Sequence, residues 1–331
     1  MLSATRCSAV LIPSVGRHHC LRQIRYPLST SSATASTSNI PDGIATLALN
    51  NPKRRNALSS SVLSTMLEKL LKIKSDPATK VLIIKSLDDE SQYNGVFCSG
   101  HDLQELSFQP DNESKEAYQH RLQDLFQLCS RVMTEINTFP VPTIAQVDGI
   151  ATAAGCQLVA SCDLAVATVS SQFATPGVRI GLFCSTPAVP LVRAVASRKH
   201  VMEMLLTGDL ISAQRAYEIG LINRIIIVAD DDDSHHHVED DDNDKLQRQQ
   251  QVSRMLHQEV QSLASTIAEK SSPCIRSGLQ TLREQQGMLL TDAYPVAERT
   301  MVENLLNPDA KEGIDAFLNK RKPKWTGRKD R

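Results

Sequence analysis

The chain lacks most of the features that would tie it to a membrane, a metal or a nucleic acid. None of its eight cysteines forms a C-x-x-C pair, and their spacing is irregular. That argues against a disulfide framework or a zinc site, and a reducing compartment suits such thiols better. No apolar run reaches the length of a bilayer span. The longest small and apolar stretch, Val141 to Val169, is broken by Gln146, Asp148, Gln157 and Asp163 and reads as buried core. Net charge is nearly absent, with 36 Lys and Arg against 37 Asp and Glu, so nothing electrostatic calls for nucleic acid or an anionic membrane as partner. Acids are missing from the N-terminus altogether: no Asp or Glu precedes Asp42.

That acid-free segment contains Arg6, Arg17, Arg22 and Arg25, and Ser/Thr crowd it from Ser29 to Ser38. Arg-rich, Ser-rich, acid-poor composition is that of a mitochondrial transit peptide; the competing reading is an ordinary disordered N-terminus. A secretory signal fits less well, because Val10-Leu11-Ile12 runs into Pro13 and further basic residues. Residues 1–40 are therefore set apart, with cleavage expected between Arg25 and Ile40. A second unusual segment, within residues 229–245, is the acidic run around His235-His236-His237. Self-repelling charge with almost nothing apolar reads as a disordered surface loop, and a flexible His run lacks the geometry of a metal site. No metal is expected.

What is present is enough for one catalytic-sized domain: 331 residues, 41% of them hydrophobic. An apolar strand from Ile44 to Leu49 leads through Asn50-Asn51-Pro52-Lys53 into a helix that Ser59 can cap, with Val62, Met66, Leu67, Leu70 and Leu71 at helical spacing. Val81 to Ile84 is a continuous apolar strand, which suggests a sheet covered on both faces. The alternation repeats with a helix at 117–137, a strand at 143–147, a helix at 153–160 and a strand at 164–168. An α/β architecture with layered sheets follows. Residues 41–228 form this core. Over 246–320 only helical patterns occur, and a basic tail occupies 321–331.

Two loops carry the chemistry. One is Val96-Phe97-Cys98-Ser99-Gly100-His101-Asp102-Leu103-Gln104-Glu105-Leu106, and the other runs from Pro142 through Asp148-Gly149 to Ala153-Ala154-Gly155-Cys156-Gln157. Each passes from an apolar run through small residues into a helical pattern. The first turn of a helix has backbone N–H groups without intrahelical partners. Two such groups facing one point make an oxyanion hole.

These loops, followed by C-D-L-A-V-A and F-A-T-P-G-V-x-x-G-L, resemble the crotonase (enoyl-CoA hydratase/isomerase) superfamily from about Gly43 to Trp325. The resemblance implies a spiral of repeated ββα units, a C-terminal helical region that builds a homotrimer or hexamer, and an acyl-CoA thioester as ligand, with coenzyme A part of the substrate rather than a cofactor. It implies a mitochondrial matrix protein of fatty-acid metabolism. The oxyanion donors become the backbone N–H groups of His101 and Ala154. Ser99, Gly100 and Gly155 are small enough for a thioester to approach the main chain. Asn51-Pro52-Lys53 and Asn56-Ala57-Leu58 match the segment that lies along the nucleotide, so Lys53, Asn56 and Ala57 join the substrate-binding set, as do Asp102 and Leu103. Asp102 also reads as the cap of the following helix, Asp163 as structural, and the imidazole of His101 as tolerated rather than used. Where many relatives place a lysine after the first loop, this chain has Gln104. The basic tail either adds positive charge near CoA or is solvated.

The resemblance also shows a lack. Hydratases of the superfamily use two glutamates to position water and shuttle a proton. The first falls on Gln157 and the second on Gly177; the aspartate of some isomerases falls on Ser185, next to Cys184. An amide takes up no proton near neutral pH and glycine offers none, so family-typical hydration is not expected. Converting Gln157 and Gly177 together to Glu is expected to raise it. Two readings need no paired acids: decarboxylation of a malonyl-type thioester, which requires mainly enolate stabilisation, and a non-catalytic acyl-CoA sensor or regulatory subunit.

Overall fold

The computed structural model describes residues 34–39, 42–87, 95–108, 113–227 and 242–327. Its frame is a six-stranded sheet with strand order β1-β2-β3-β5-β7-β10, formed by Thr34–Asn39, Ile44–Asn50, Val81–Ser86, Thr143–Val147, Leu164–Thr168 and Arg224–Ile226. All neighbours are parallel except β1, which pairs antiparallel with β2. A second sheet has the order β4-β6-β8-β9, from Val96–Cys98, Ile150–Thr152, Gln172–Ala174 and Ile211–Ser212. Three successive units, β3-β4, β5-β6 and β7-β8, each place one strand in the large sheet and a short one in the small sheet before a helix, which is the ββα repeat that the resemblance implied. The short strands leave no usable sequence period, and sequence reading passed over them.

The helices of the body are α1 (Ser60–Ser75), α2 (Leu103–Leu106), α3 (Lys115–Asn137), α4 (Ala154–Ser161), α5 (Ser185–Ala194), α6 (Arg198–Thr207) and α7 (Ala213–Glu218). Ser59 caps α1 as expected, accepting the Val62 N–H. The continuous apolar strands are divided by the pleat. Leu82 and Ile84 of β3 face the core beneath α1, α3 and α4, while Val81 and Ile83 face the opposite side. That opposite side is covered by α8 (Asp242–Ala268) through Leu256, Val260, Ala264 and Ala268.

Two boundaries differ from the sequence reading. β1 lies inside the segment set apart as a leader, its backbone paired antiparallel with β2. α8 begins at Asp242, inside the acidic run, and also belongs to the body rather than to a separate helical appendage. The rest of that run, residues 228–241 with the His cluster, lies outside the described residues, as do residues 1–33. Beyond α8 come α9 (Ser272–Glu284), α10 (Leu290–Leu306) and α11 (Pro308–Leu318). Among the described residues no helix is long and apolar enough to cross a membrane.

Candidate active site

Three segments meet where β4 ends and α4 begins. Residues 51–58 turn through a 3-10 helix (Pro52–Arg54) and two consecutive non-glycine residues with positive φ, Arg55 and Asn56. Asn56 is buried and holds the turn from inside: its Oδ1 accepts the Asn51 N–H at 2.9 Å and its Nδ2 donates to the Val96 carbonyl at 3.1 Å. The Ser99 N–H donates to the Arg55 carbonyl and the Leu58 N–H to the Gly100 carbonyl, so the turn is stitched along the first loop. Buried Ala57 lies within this seam, while Lys53 is exposed on its rim beside Arg54.

The second loop packs directly on the first. A Cβ on Gly155 would lie 2.2 Å from the Cys98 carbonyl oxygen, and one on Gly100 would lie 2.8 Å from the Ala153 Cβ and 3.1 Å from the Ala154 nitrogen. Thr152 Oγ1 closes the seam by donating to the Ser99 carbonyl at 3.1 Å. Small residues are therefore required here for backbone contact. Ala153, the N-cap of α4, has φ 50 and ψ −116, a region that L-residues avoid. Such strain costs about 1–3 kcal/mol and persists only where the surroundings impose it. Here the Ala153 N–H is tied to the Ala174 carbonyl, and the twist frees the next amide, that of Ala154. Neither the His101 N–H nor the Ala154 N–H donates to another of the described residues. Two open donors thus lie on touching loops, one of them at the positive end of a fully buried helix.

The side chains around these amides have definite employment. Asp102 caps α2, accepting the Gln104 N–H at 3.0 Å, and pairs with Arg54 Nη1 at 2.9 Å. Glu105 accepts the Ser60 N–H at 2.8 Å and the Ser60 hydroxyl at 2.9 Å, serving the start of α1. Both carboxylates of the first loop are thereby committed to structure. Asp163 is structural too: it accepts the Thr143 N–H and hydroxyl, each at 2.9 Å, and faces Arg283. Leu103 and Gln104 turn outward.

His101 Nδ1 sits 3.3 Å from the Leu58 carbonyl, and Nε2 is buried without a partner. Burial lowers its pKa below the usual imidazole value, with the Leu58 carbonyl and Glu105 pulling the other way, so the ring is neutral near pH 7. Its edge meets the Phe126 ring at 5.2 Å. Phe126 in turn lines an open groove of about 730 Å³ along α3, with Phe108, Tyr118 and Leu122. Sequence reading saw in α3 only a helix; the signal was the pair Tyr118 and Phe126 in its N-terminal half.

Gln157, one turn after Ala154 on α4, is 3% exposed and its Oε1 has no hydrogen-bond partner. Gly177, in the 3-10 helix Pro176–Ile180, donates its N–H to Cys184 Sγ at 3.4 Å. A Cβ there would lie 2.7 Å from the Leu182 carbonyl oxygen and 2.8 Å from that sulfur. The space of a side chain at 177 is thus filled by Cys184. Ser185 is exposed and bonds only to the Phe183 carbonyl.

The open amides and the small-residue seam thus lie together on the ββα frame. A family model described as enoyl-CoA hydratase/isomerase matches residues 39–255, and the chain belongs to that family. It is 42% identical over 285 residues to the human enoyl-CoA hydratase domain-containing protein 3, mitochondrial, covering 86% of this chain and 81% of that one. The zebrafish protein of the same name is 39% identical over 310 residues, covering 94% of each. Among solved structures, that of the human domain-containing protein 3 superimposes with a TM-score of 0.72 at 42% identity, over 88% of this chain and 99% of the other. An enoyl-CoA hydratase from Mycobacterium smegmatis superimposes with a TM-score of 0.73 at 36% identity, over 88% of this chain and 98% of the other.

Proposed function

We propose that the chain is a mitochondrial matrix protein of fatty-acid metabolism that binds acyl-CoA thioesters, with the thioester oxygen held by the His101 and Ala154 amides. The observation that carries this reading is the pair of unemployed N–H groups on two loops in direct contact. Fixed dipoles of this kind stabilise an enolate oxygen more than a neutral carbonyl, because they need no reorganisation as charge develops. Ser99, Gly100 and Gly155 let the thioester reach the main chain. Asn56 and Ala57 shape the wall, exposed Lys53 offers positive charge to the nucleotide phosphates, and the groove beside Phe126 receives the acyl chain.

Hydration does not fit this site. Gln157 neither gains nor loses a proton near neutral pH, Gly177 has no side chain to do so, and Asp102 and Glu105 are bound into helix caps. Decarboxylation of a malonyl-type thioester is the reaction the same geometry favours. Loss of CO₂ leaves an enolate, and the two amides meet its charge without a paired base.

The test incubates a panel of acyl-CoA and malonyl-type thioesters with the full chain and follows both consumption and retention by LC–MS. Retention of thioesters, with consumption confined to malonyl-type members, is expected. Retention without turnover of any member points to the sensor role, and neither retention nor turnover overturns the reading. Rapid hydration of crotonyl-CoA overturns the exclusion of hydratase chemistry. Ala154→Pro removes one donor at a helix position that tolerates proline. It is expected to lower turnover by about 10²-fold or more, with thermal unfolding as the folding control.

A further inference from the structure

Two rows of α3 have different duties. Leu125, Cys129, Val132, Met133 and Ile136 are buried and belong to the core. Tyr118, Leu122 and Phe126 recur at every fourth residue and so stand on one row beside that face. They are only half-buried, take no part in the core cluster, and line the open groove of about 730 Å³ together with Phe108. Gln119, Gln123 and Gln127, exposed along the next row, give the groove a wet rim.

The groove is fastened to the first loop at both ends. At its inner end the Phe126 ring meets the imidazole of His101, whose backbone N–H is one of the two open donors. At its outer end the Tyr118 hydroxyl donates at 2.7 Å to the carbonyl of Leu106, the last residue of α2. Phe108 packs on the Tyr118 ring with 5.1 Å between centroids. Arg121 completes the clasp: its guanidinium lies 5.3 Å over the Tyr118 ring, donates to the Ser107 carbonyl at 3.1 Å and pairs with Glu113. The apolar wall is therefore formed before a ligand arrives, and it runs beside the loop that carries the donor.

We propose that this groove selects the length of the acyl tail, making long-chain thioesters the preferred ligands of the site, with Leu122 as the specificity-determining residue. Tyr118 and Phe126 stand a little over two helical turns apart, about 12 Å. An extended chain advances about 1.2 Å per bond, so about ten carbons cover that length. A butyryl tail ends beside Phe126 and leaves the row bare, whereas a dodecanoyl tail lies along all of it. The amide rim is open to water, so the tail is covered on one side only. Each methylene then gains about half the free energy of full burial, which is about twofold in affinity.

This assignment rests on the thioester reading of the site, and the experiment keeps the two apart. Dissociation constants of butyryl-CoA and dodecanoyl-CoA are measured on the full chain by titration calorimetry, below the concentration at which the longer thioester forms micelles. Dodecanoyl-CoA is expected to bind about 10²-fold tighter. Leu122→Glu sets a charge in the middle of the row and is expected to cut that advantage to below about tenfold. Leu122→Gln, uncharged and closer in size, is expected to cut it by about threefold or more. Thermal unfolding and sedimentation are followed for both variants. Equal affinity for the two thioesters, or an undiminished advantage in both variants, overturns the selector and leaves thioester binding standing. Altered sedimentation with the advantage intact assigns the groove to a second copy of the chain and likewise overturns it. If neither thioester binds, the thioester reading falls as well.

Discussion

At the scale of single residues, the site is set by where a Cβ is impossible. Gly155 abuts the Cys98 carbonyl, so Gly155→Ala forces two backbones apart. Overpacking of this kind costs roughly 3 kcal/mol. Gly155→Ala is thus expected to lower the unfolding free energy by that amount, read as a lower urea midpoint at constant slope, and an unchanged midpoint would refute the contact. Gly177 changes the outcome expected from restoring two glutamates. From the chemistry alone, Gln157→Glu with Gly177→Glu should bring back hydration, but the Leu182 carbonyl stands 2.7 Å from the new Cβ. A backbone oxygen yields only if the 182–184 segment moves. The double variant is therefore expected to lose about 2–3 kcal/mol of stability and to gain no crotonyl-CoA hydration. A stable, hydrating double variant would show that the segment adapts. The substitution to glycine was visible in the sequence; the thiol that took up its space was not, because six residues of chain separate Gly177 from Cys184 and only the fold closes that gap.

At the scale of elements, residues 321–326 of the C-terminal tail are held against α11 and the end of α8. Arg321 pairs with Glu312 at 2.6 Å and with Asp315 of α11, the Lys324 N–H donates to Glu312, and the Trp325 Nε1–H donates to the Glu269 carbonyl at the end of α8. The indole also lies against Gly313, where a Cβ would meet it at 3.2 Å. Arg321 and the Lys324 N–H hold the Glu312 carboxyl down at about 2, from an ordinary value of 4.5. A depressed carboxylate contributes to docking above its ordinary value and loses that contribution as pH falls through the lowered one. Trp325 is the only tryptophan, so its emission reports this tail. A red shift is expected as pH falls from about 4.5 to 2, and Arg321→Ala is expected to move it to higher pH. Emission that stays constant over that range would contradict the clamp.

At the scale of the whole molecule, the last two helices present apolar surface that none of the described residues covers. Leu290 and Leu306 of α10 are 72% and 67% exposed, and Phe317 and Leu318 of α11 are 83% and 73% exposed. Single exposed leucines are ordinary, whereas a run of them on consecutive helices marks an interface. The proposed occupants are further copies of this chain, in line with the trimer or hexamer implied by the family. Sedimentation of the full chain is expected to give a trimer or hexamer, and Phe317→Asp with Leu306→Asp a smaller species. A wild-type monomer would sink the proposal.

Periodicity and short motifs settled much of this protein before any coordinates. The strands at 143–147 and 164–168 coincide with the sequence reading, α3 and α4 differ from it by one or two residues at their ends, and the two loops with their small residues lie in contact as expected. Local sequence suffices there because backbone pairing, helical spacing and tight approach depend on near neighbours. Tertiary structure alone decided four things: that β1 extends the sheet into the leader-like segment, that α8 seals the sheet's second face, that Glu105 is consumed at the start of α1, and that Cys184 stands beside Gly177. Each depends on groups brought together by packing, and side-chain chemistry at such a meeting point is set by what else is there, which a linear pattern does not encode.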